Sequence, residues 1–170
     1  MRLSLRTFDL MDFMDLNEDL IPLLNKAYFF LKFRPRTEKE VRDYLYKKIR
    51  TTHWSRDGAE EVIKKLKDQE LIDDKKFVDW FVRQRTTLKP KGQRLLTREL
   101  LQKGIAPELI EDYFSENSVD EETLAFQILE KRWSRFKSLD SKKRFEKAAR
   151  FLLSRGFNYD LVKKTIDKFG

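Results

Sequence analysis

One phrase in this chain occurs twice, and it constrains the fold more than any other feature. Leu100-Leu101-Gln102-Lys103-Gly104-Ile105-Ala106-Pro107-Glu108-Leu109-Ile110 returns 52 residues later as Leu152-Leu153-Ser154-Arg155-Gly156-Phe157-Asn158-Tyr159-Asp160-Leu161-Val162. Both copies read apolar pair, polar residue, cation, glycine, bulky apolar residue, helix start, acid, apolar pair. A period near fifty residues points to similar helical units stacked in tandem, each burying its apolar face on a neighbour. Such a protein works through an extended surface, so the question becomes which partner it binds.

Helix start and stop signals divide the chain into nine helices in three groups. In the first group, residues 24–34 are apolar along one side up to Pro35. Thr37 and Glu40 then form a capping box for a helix carrying Val41, Leu45 and Ile49 at four-residue spacing. Ser55 caps a third helix through Val62, Ile63 and Leu66. The second group opens at Asp73, with Leu71 and Ile72 stapling against Phe77. A turn at residues 89–92 follows. The next helix carries Leu95, Leu96, Leu100 and Leu101, and Gly104 closes it in the left-handed C-cap conformation. Pro107 begins a short acidic helix, where its missing N–H does no harm. The third group opens at Ser118, with Glu121 completing a second capping box, and its first helix runs to Trp133 and Phe136. Ser141 begins the next helix, closed by Gly156, and Asn158 caps the last. No apolar/polar alternation of strand type is present. The expected fold is all-α, with similar three-helix units stacked in tandem. Residues 1–22 are an N-terminal extension or cap, residues 23–72 module one, 73–117 module two and 118–170 module three. Phe8, Leu10, Met11, Phe13 and Met14 are read as a short amphipathic segment covering the exposed end of module one.

Charge narrows the partner. The net charge is +8, and it is unevenly distributed. Residues 83–103 carry seven cations against Glu99, residues 104–122 carry seven acids and no cation, and residues 131–155 carry ten cations against Asp140 and Glu146. A basic stripe recurring with the module attracts phosphate backbones or acidic protein surface. The competing reading of any one run is a solvated helix face. There is no cysteine, so neither a disulfide framework nor a thiolate metal site is expected. No apolar stretch approaches membrane-span length, and the acidic start (Asp9, Asp12, Asp15) is unlike a signal peptide. The expected location is the cytoplasm.

Catalytic chemistry finds no support in the residues. His53 stands alone beside Trp54. Asp73-Asp74 sits where an N-cap and a helix-dipole carboxylate belong, and the five glycines never cluster into a phosphate loop. No cofactor, metal or small-molecule substrate is expected. Trp80, Phe81, Trp133 and Phe136 lie at core spacing. Residues 89–103 contain no aromatic, which argues against base stacking there.

Three sets of residues carry a family resemblance. The first is Leu71-Ile72-Asp73-Asp74-x-x-Phe77, continued by Phe81-Val82-Arg83-x-Arg85 and by Lys91-Gly92-x-Arg94-Leu95-x-x-x-Glu99-Leu100-x-x-Lys103-Gly104-Ile105. It resembles the central motif of the RecX family, bacterial regulators of the recombinase RecA. Ala27-x-x-x-Leu31-x-x-Arg34-x-Arg36-Thr37-x-x-Glu40-Val41 resembles that family's first module, and Arg155-Gly156-Phe157 an element of its last. Three features depart from the pattern: Val78 replaces a small residue, the turn Arg50-Thr51-Thr52-His53-Trp54 is longer than usual, and residues 1–19 match nothing in the family. The resemblance implies a non-enzymatic protein of tandem three-helix modules, helix-turn-helix-like, stacked into an elongated, curved array that lies in the groove of a RecA filament on single-stranded DNA; a monomer is expected. There it lowers ATP hydrolysis and strand exchange, in recombination, DNA repair and the SOS response. The docking cations expected on this reading are Arg34 and Arg36 in module one, Arg83, Arg85, Lys89, Lys91 and Arg94 in module two, and Arg132, Arg135, Lys142, Lys143 and Arg144 in module three. Some of these arginines would instead pair with Glu99, Glu121 or Glu122. The alternative is a helical-repeat protein that binds single-stranded DNA or RNA directly through the same basic face. A third reading is a helical adaptor for another acidic protein.

Overall fold

The structure is a computed structural model, and it describes residues 16–169. The amphipathic segment read from Phe8, Leu10, Met11, Phe13 and Met14 therefore lies outside the described residues. Among the described residues there are no strands. After a short 3-10 helix, Glu18–Leu20, come α1 (Ile21–Leu31), α2 (Glu38–Ile49), α3 (Arg56–Asp68), α4 (Asp74–Leu88), α5 (Gln93–Gln102), α6 (Pro107–Glu116), α7 (Glu121–Trp133), α8 (Ser141–Leu153) and α9 (Tyr159–Asp167). The chain divides into two compact units, Met1–Phe77 and Val78–Gly170.

In the first unit α2 packs on α3, and both meet α1. Leu23, Leu24 and Ala27 of α1, Val41 and Leu45 of α2, and Val62, Ile63 and Leu66 of α3 are fully buried together. Their three- and four-residue spacing makes one apolar stripe per helix. The predicted capping box is present: the Thr37 hydroxyl accepts from the Glu40 amide at 3.1 Å, and the Glu40 carboxylate accepts from the Thr37 amide at 3.4 Å. Ser55 caps α3 as expected, accepting from the Gly58 amide at 3.1 Å. Helix α1 ends at Leu31, three residues short of the expected end. Pro35 disfavours helical backbone in the residue before it, and the turn at 32–34 absorbs that constraint.

In the second unit α7, α8 and α9 enclose a core of Ala125, Leu129, Ala148, Leu152, Phe157, Val162 and Ile166. Phe81, Val82, Leu96, Leu100 and Ile110 of the middle helices, and Ile105 in the turn between α5 and α6, are buried. The opening of α7 differs from expectation. Asp120, not Ser118, is the N-cap, accepting from the Thr123 amide at 3.0 Å. Glu121 is the first helical residue, and its carboxylate accepts from the Gln93 amide at the start of α5. Gly92, the N-cap of α5, has no side chain to cap with. Glu121 supplies the acceptor that the exposed amide needs. Helix α7 ends at Trp133, which leaves Phe136 in the turn beyond it.

The repeated phrase proves to be a helix stop. In its first copy the Gly104 amide donates to the Leu101 carbonyl at 2.9 Å and the Ile105 amide to the Leu100 carbonyl at 3.2 Å, with φ +83° at Gly104. This is a Schellman closure. In the second copy Gly156 has φ +90° and its amide donates to the Leu153 carbonyl at 3.0 Å. A third closure ends α3: Glu70 donates to the Lys67 carbonyl at 2.8 Å and Leu71 to the Leu66 carbonyl at 2.9 Å. Glu70 takes φ +54° where the other two have glycine, so the residue pattern hides this copy.

Candidate partner-binding surface

The expected docking cations fall into aromatic–cation clusters and solvent-facing single charges. In the first unit, the turn after α1 brings Arg34 and Arg36 together. Arg34 clamps Glu40 with both terminal nitrogens, at 2.9 and 3.0 Å. The Arg36 guanidinium lies 4.0 Å from the centre of the Phe30 ring. Phe30 stacks on Tyr44 at 4.2 Å with the planes 1° apart, and Lys48 lies over Tyr44 at 5.3 Å. Burial, and then the neighbouring Arg34 charge, push the Arg36 pKa below its ordinary value, while Glu40 counters them. Glu38, Arg42, Glu60 and Lys67 form a second network close by. Its two hydrogen bonds, first from Lys67 and then from Arg42, hold the Glu38 carboxyl below the usual range.

In the second unit, α4 and α5 place Arg85 and Lys91 on one carboxylate, Glu99. Arg85 donates from Nε at 3.3 Å, and the Lys91 ammonium is ion-paired with it. Arg85 also lies over the Phe81 ring at 4.8 Å, with Lys103 at 5.8 Å from the same centre. Arg83, its side chain 77 % exposed, pairs along its own helix with Asp79 at 3.0 Å. Lys89 and Arg94 are exposed on either side of the turn at 89–92.

Arg132 on α7, Arg135 in the turn after it, and Lys142 and Lys143 on α8 are exposed. Lys143 lies 3.4 Å from Asp140, the N-cap of its own helix. Arg144 is half-buried, donating to the Leu139 carbonyl at 3.3 Å beneath the Trp133 ring. Arg132 lies over Phe151 at 4.8 Å, and the same ring carries Arg155 at 4.6 Å. The residue reading missed Arg155 as a site residue. The signal was present, because Arg155 holds the position of Lys103 in the repeated phrase. Of the three acids expected to neutralise site cations, Glu99 does so. Glu122 instead binds Lys164 and Lys168, and Glu121 caps α5.

Two more features went unread in the sequence. Phe29 and Phe33, an edge-to-face pair at 5.2 Å on α1 and the turn after it, are 63 % and 68 % exposed. His53, which looked solitary, meets Asp19 at 3.0 Å, and the Trp54 indole donates to the Asp19 carbonyl at 2.8 Å. Among the described residues no group of His, Cys, Asp and Glu could hold a metal ion. No helix among them is long and apolar enough to cross a membrane. A shallow groove between α5 and α6, about 450 Å³, is lined by Leu101, Pro107, Ile110 and Phe114 together with Gln93, Thr97, Glu111 and Ser115.

Fold and surface together define an all-α protein of tandem three-helix modules that presents exposed cations. RecX family models match in tandem: the first three-helix domain at residues 24–66, the second at 73–113 and the third at 120–166. The chain belongs to the RecX family. A Regulatory protein RecX of Streptococcus equi subsp. zooepidemicus is 36 % identical over 145 residues, covering 85 % of this chain and 54 % of its own length. One from Oceanobacillus iheyensis is 31 % identical over 166 residues, covering 91 % and 60 %. The crystal structure of RecX from Lactobacillus salivarius matches with a TM-score of 0.74 at 28 % identity, over 88 % of this chain and 96 % of that one. The chain spans about half the length of the curated relatives it matches, and those relatives are regulatory proteins.

Proposed function

We propose that this chain is a cytoplasmic, monomeric, non-enzymatic regulator that docks on a RecA filament on single-stranded DNA and lowers its ATP hydrolysis and strand exchange. The observation that carries this reading is family membership across all three modules. The surface supports it. Exposed cations recur from module to module on a protein with net charge +8, and such a surface suits acidic protein with phosphate nearby. Weak contacts from successive modules then add through effective concentration, with no single strong site required.

The cations divide by role. Arg83, Lys89, Arg94, Arg132, Arg135, Lys142 and Lys143 face solvent and make the docking contacts. Arg34, Arg36, Arg85, Lys91 and Arg144 are tied to internal partners, and they shape the surface that carries the others. The test is single-stranded-DNA-dependent ATP hydrolysis by the cognate RecA, titrated with this protein beside a binding titration on the same DNA without RecA. Inhibition at concentrations too low to occupy naked DNA is expected. Inhibition only once the DNA is saturated would overturn the reading in favour of competition for DNA.

A further inference from the structure

Phe29 and Phe33 are the most exposed phenylalanines among the described residues, and they stand together, edge to face at 5.2 Å. They belong to the solvent side of α1, where Pro22, Asn25, Lys26, Phe29, Lys32 and Phe33 follow at three- and four-residue spacing and are all exposed. Lys26 and Lys32 flank the rings, and among the described residues neither is ion-paired. Such a face suits an occupant that is apolar and acidic together. A second copy of this chain is a poor fit, because antiparallel pairing of two α1 faces about Phe29 sets Lys26 of one copy against Lys32 of the other.

The residues just before Leu16 have the required chemistry. Every residue from 8 to 15 is apolar or acidic, with Asp9, Asp12 and Asp15 spaced among Phe8, Leu10, Met11, Phe13 and Met14. The chain emerges from this segment at a fixed point. Leu16 and Leu20 are buried in the core of the first unit, and a Cβ on Gly58 of α3 would lie 2.8 Å from Leu20 Cδ2. The Asp19 carboxylate meets His53 at 3.0 Å, and its carbonyl accepts from the Trp54 indole at 2.8 Å. The 3-10 helix Glu18–Leu20 then packs on α1 and runs directly into it. The root of the segment is thus pinned at the start of the helix that carries the aromatic pair. Phe29 lies ~12 Å along α1 from Ile21, and the 3-10 helix adds ~6 Å. Eight residues span up to ~27 Å, so the reach is sufficient.

We propose that residues 8–15 dock on the Phe29–Phe33 face of α1, the apolar residues covering the two rings and the three aspartates neutralising Lys26 and Lys32. The tether makes the contact intramolecular, so a modest affinity holds it. The first family model begins at residue 24, so the docked segment is an extension outside the shared module. The contact is internal to this chain and needs no recombinase, so its failure leaves the regulatory reading standing.

The experiment uses the full chain, which has no native cysteine, with Met11→Cys and Asn25→Cys as its only thiols. Cysteine keeps position 11 apolar, and Asn25 is exposed, uncharged and one turn before Phe29. Cross-linking by a short bismaleimide in dilute solution, followed by gel mobility and peptide mass, reads the proximity of the two positions. A fast intramolecular link is expected. Phe29→Ser with Phe33→Ser in the same background should slow it ~5-fold or more, to the rate of a loose tether. Lys26→Glu with Lys32→Glu should slow it at least ~2-fold at low salt. All four side chains are exposed, so these changes leave the core of the first unit intact. A rate unchanged by the serine pair would overturn the proposal, since tethering alone would then explain the link. Absence of an intramolecular link would overturn it too. So would a covalent dimer as the main product, which would assign the α1 face to a second copy.

Discussion

Replacing Gly156 with alanine separates two reasons for a glycine in the repeated phrase. The first is conformation. At φ +90° an alanine Cβ meets the following carbonyl, at a cost of about 1–2 kcal/mol. Gly104, at φ +83° and exposed, carries this cost too. The second reason is contact, and Gly156 alone of the pair is shown to bear it. A Cβ there would lie 2.4 Å from Leu95 Cβ, 2.8 Å from Leu95 N and 3.1 Å from Leu95 Cα. Two of those atoms are backbone, so the start of α5 must move. That movement also strains the hydrogen bond from Gly92 to the Arg155 carbonyl, worth about 1 kcal/mol. Overpacking of this kind costs a further ~1–3 kcal/mol. Gly156→Ala is therefore expected to destabilise the second unit by about 3–6 kcal/mol, and Gly104→Ala by about 1–2. Urea unfolding followed by far-ultraviolet circular dichroism measures both, with the midpoint of each variant set against the parent. The reasoning fails if the two substitutions cost the same, because the close approach of α5 to Gly156 would then carry no weight.

Three further outcomes follow from the geometry. Glu70→Gly relieves the left-handed strain at the end of α3 and loses only an exposed ion pair with Lys76, so it should raise stability by up to ~1 kcal/mol, and a lowered unfolding midpoint would contradict this. Glu99→Gln strips the shared charged partner from Arg85 and from the partly buried Lys91, whereas Asp79→Asn loses the exposed pair with Arg83 and keeps an amide oxygen for the Tyr113 hydroxyl; thermal melting should show the first clearly more damaging, and equal shifts would refute the ranking. Hydrogen bonds from Lys67 and Arg42 hold Glu38 and Glu60 below their ordinary range, so the stability they add is complete above about pH 4.5 and disappears as the pH falls through their lowered folded values. Burial raises Asp74, which works in the opposite sense: its contribution is complete below its unfolded pKa and lost as the pH rises through the folded one. Acid unfolding of Glu60→Gln should therefore show a shallower loss below pH 4.5 than the parent, and an identical acid limb would count against the network.

Local chemistry was legible in the residues wherever a few neighbouring positions settle it. The caps at Thr37, Ser55 and Asn158, the proline opening α6 and the left-handed stops at Gly104 and Gly156 each depend on interactions spanning about five residues. The apolar spacing of each helix likewise marked its buried stripe, and with it the all-α fold and the tandem modules. Tertiary structure alone decided where charged side chains found partners. Glu121 carries a capping-box signature for its own helix, yet it serves α5, because Gly92 leaves the Gln93 amide without an acceptor. Glu99 gathers Arg85 and Lys91 from two other segments, whereas Arg132 and Arg155 meet on Phe151 and, among the described residues, neither is ion-paired with a carboxylate. Glu70 adopts a glycine's backbone because the α3 closure imposes it. Backbone propensity is a short-range property and can be read along the chain. The pairing of long, flexible charged side chains depends on which segments packing brings together, and no local pattern encodes that.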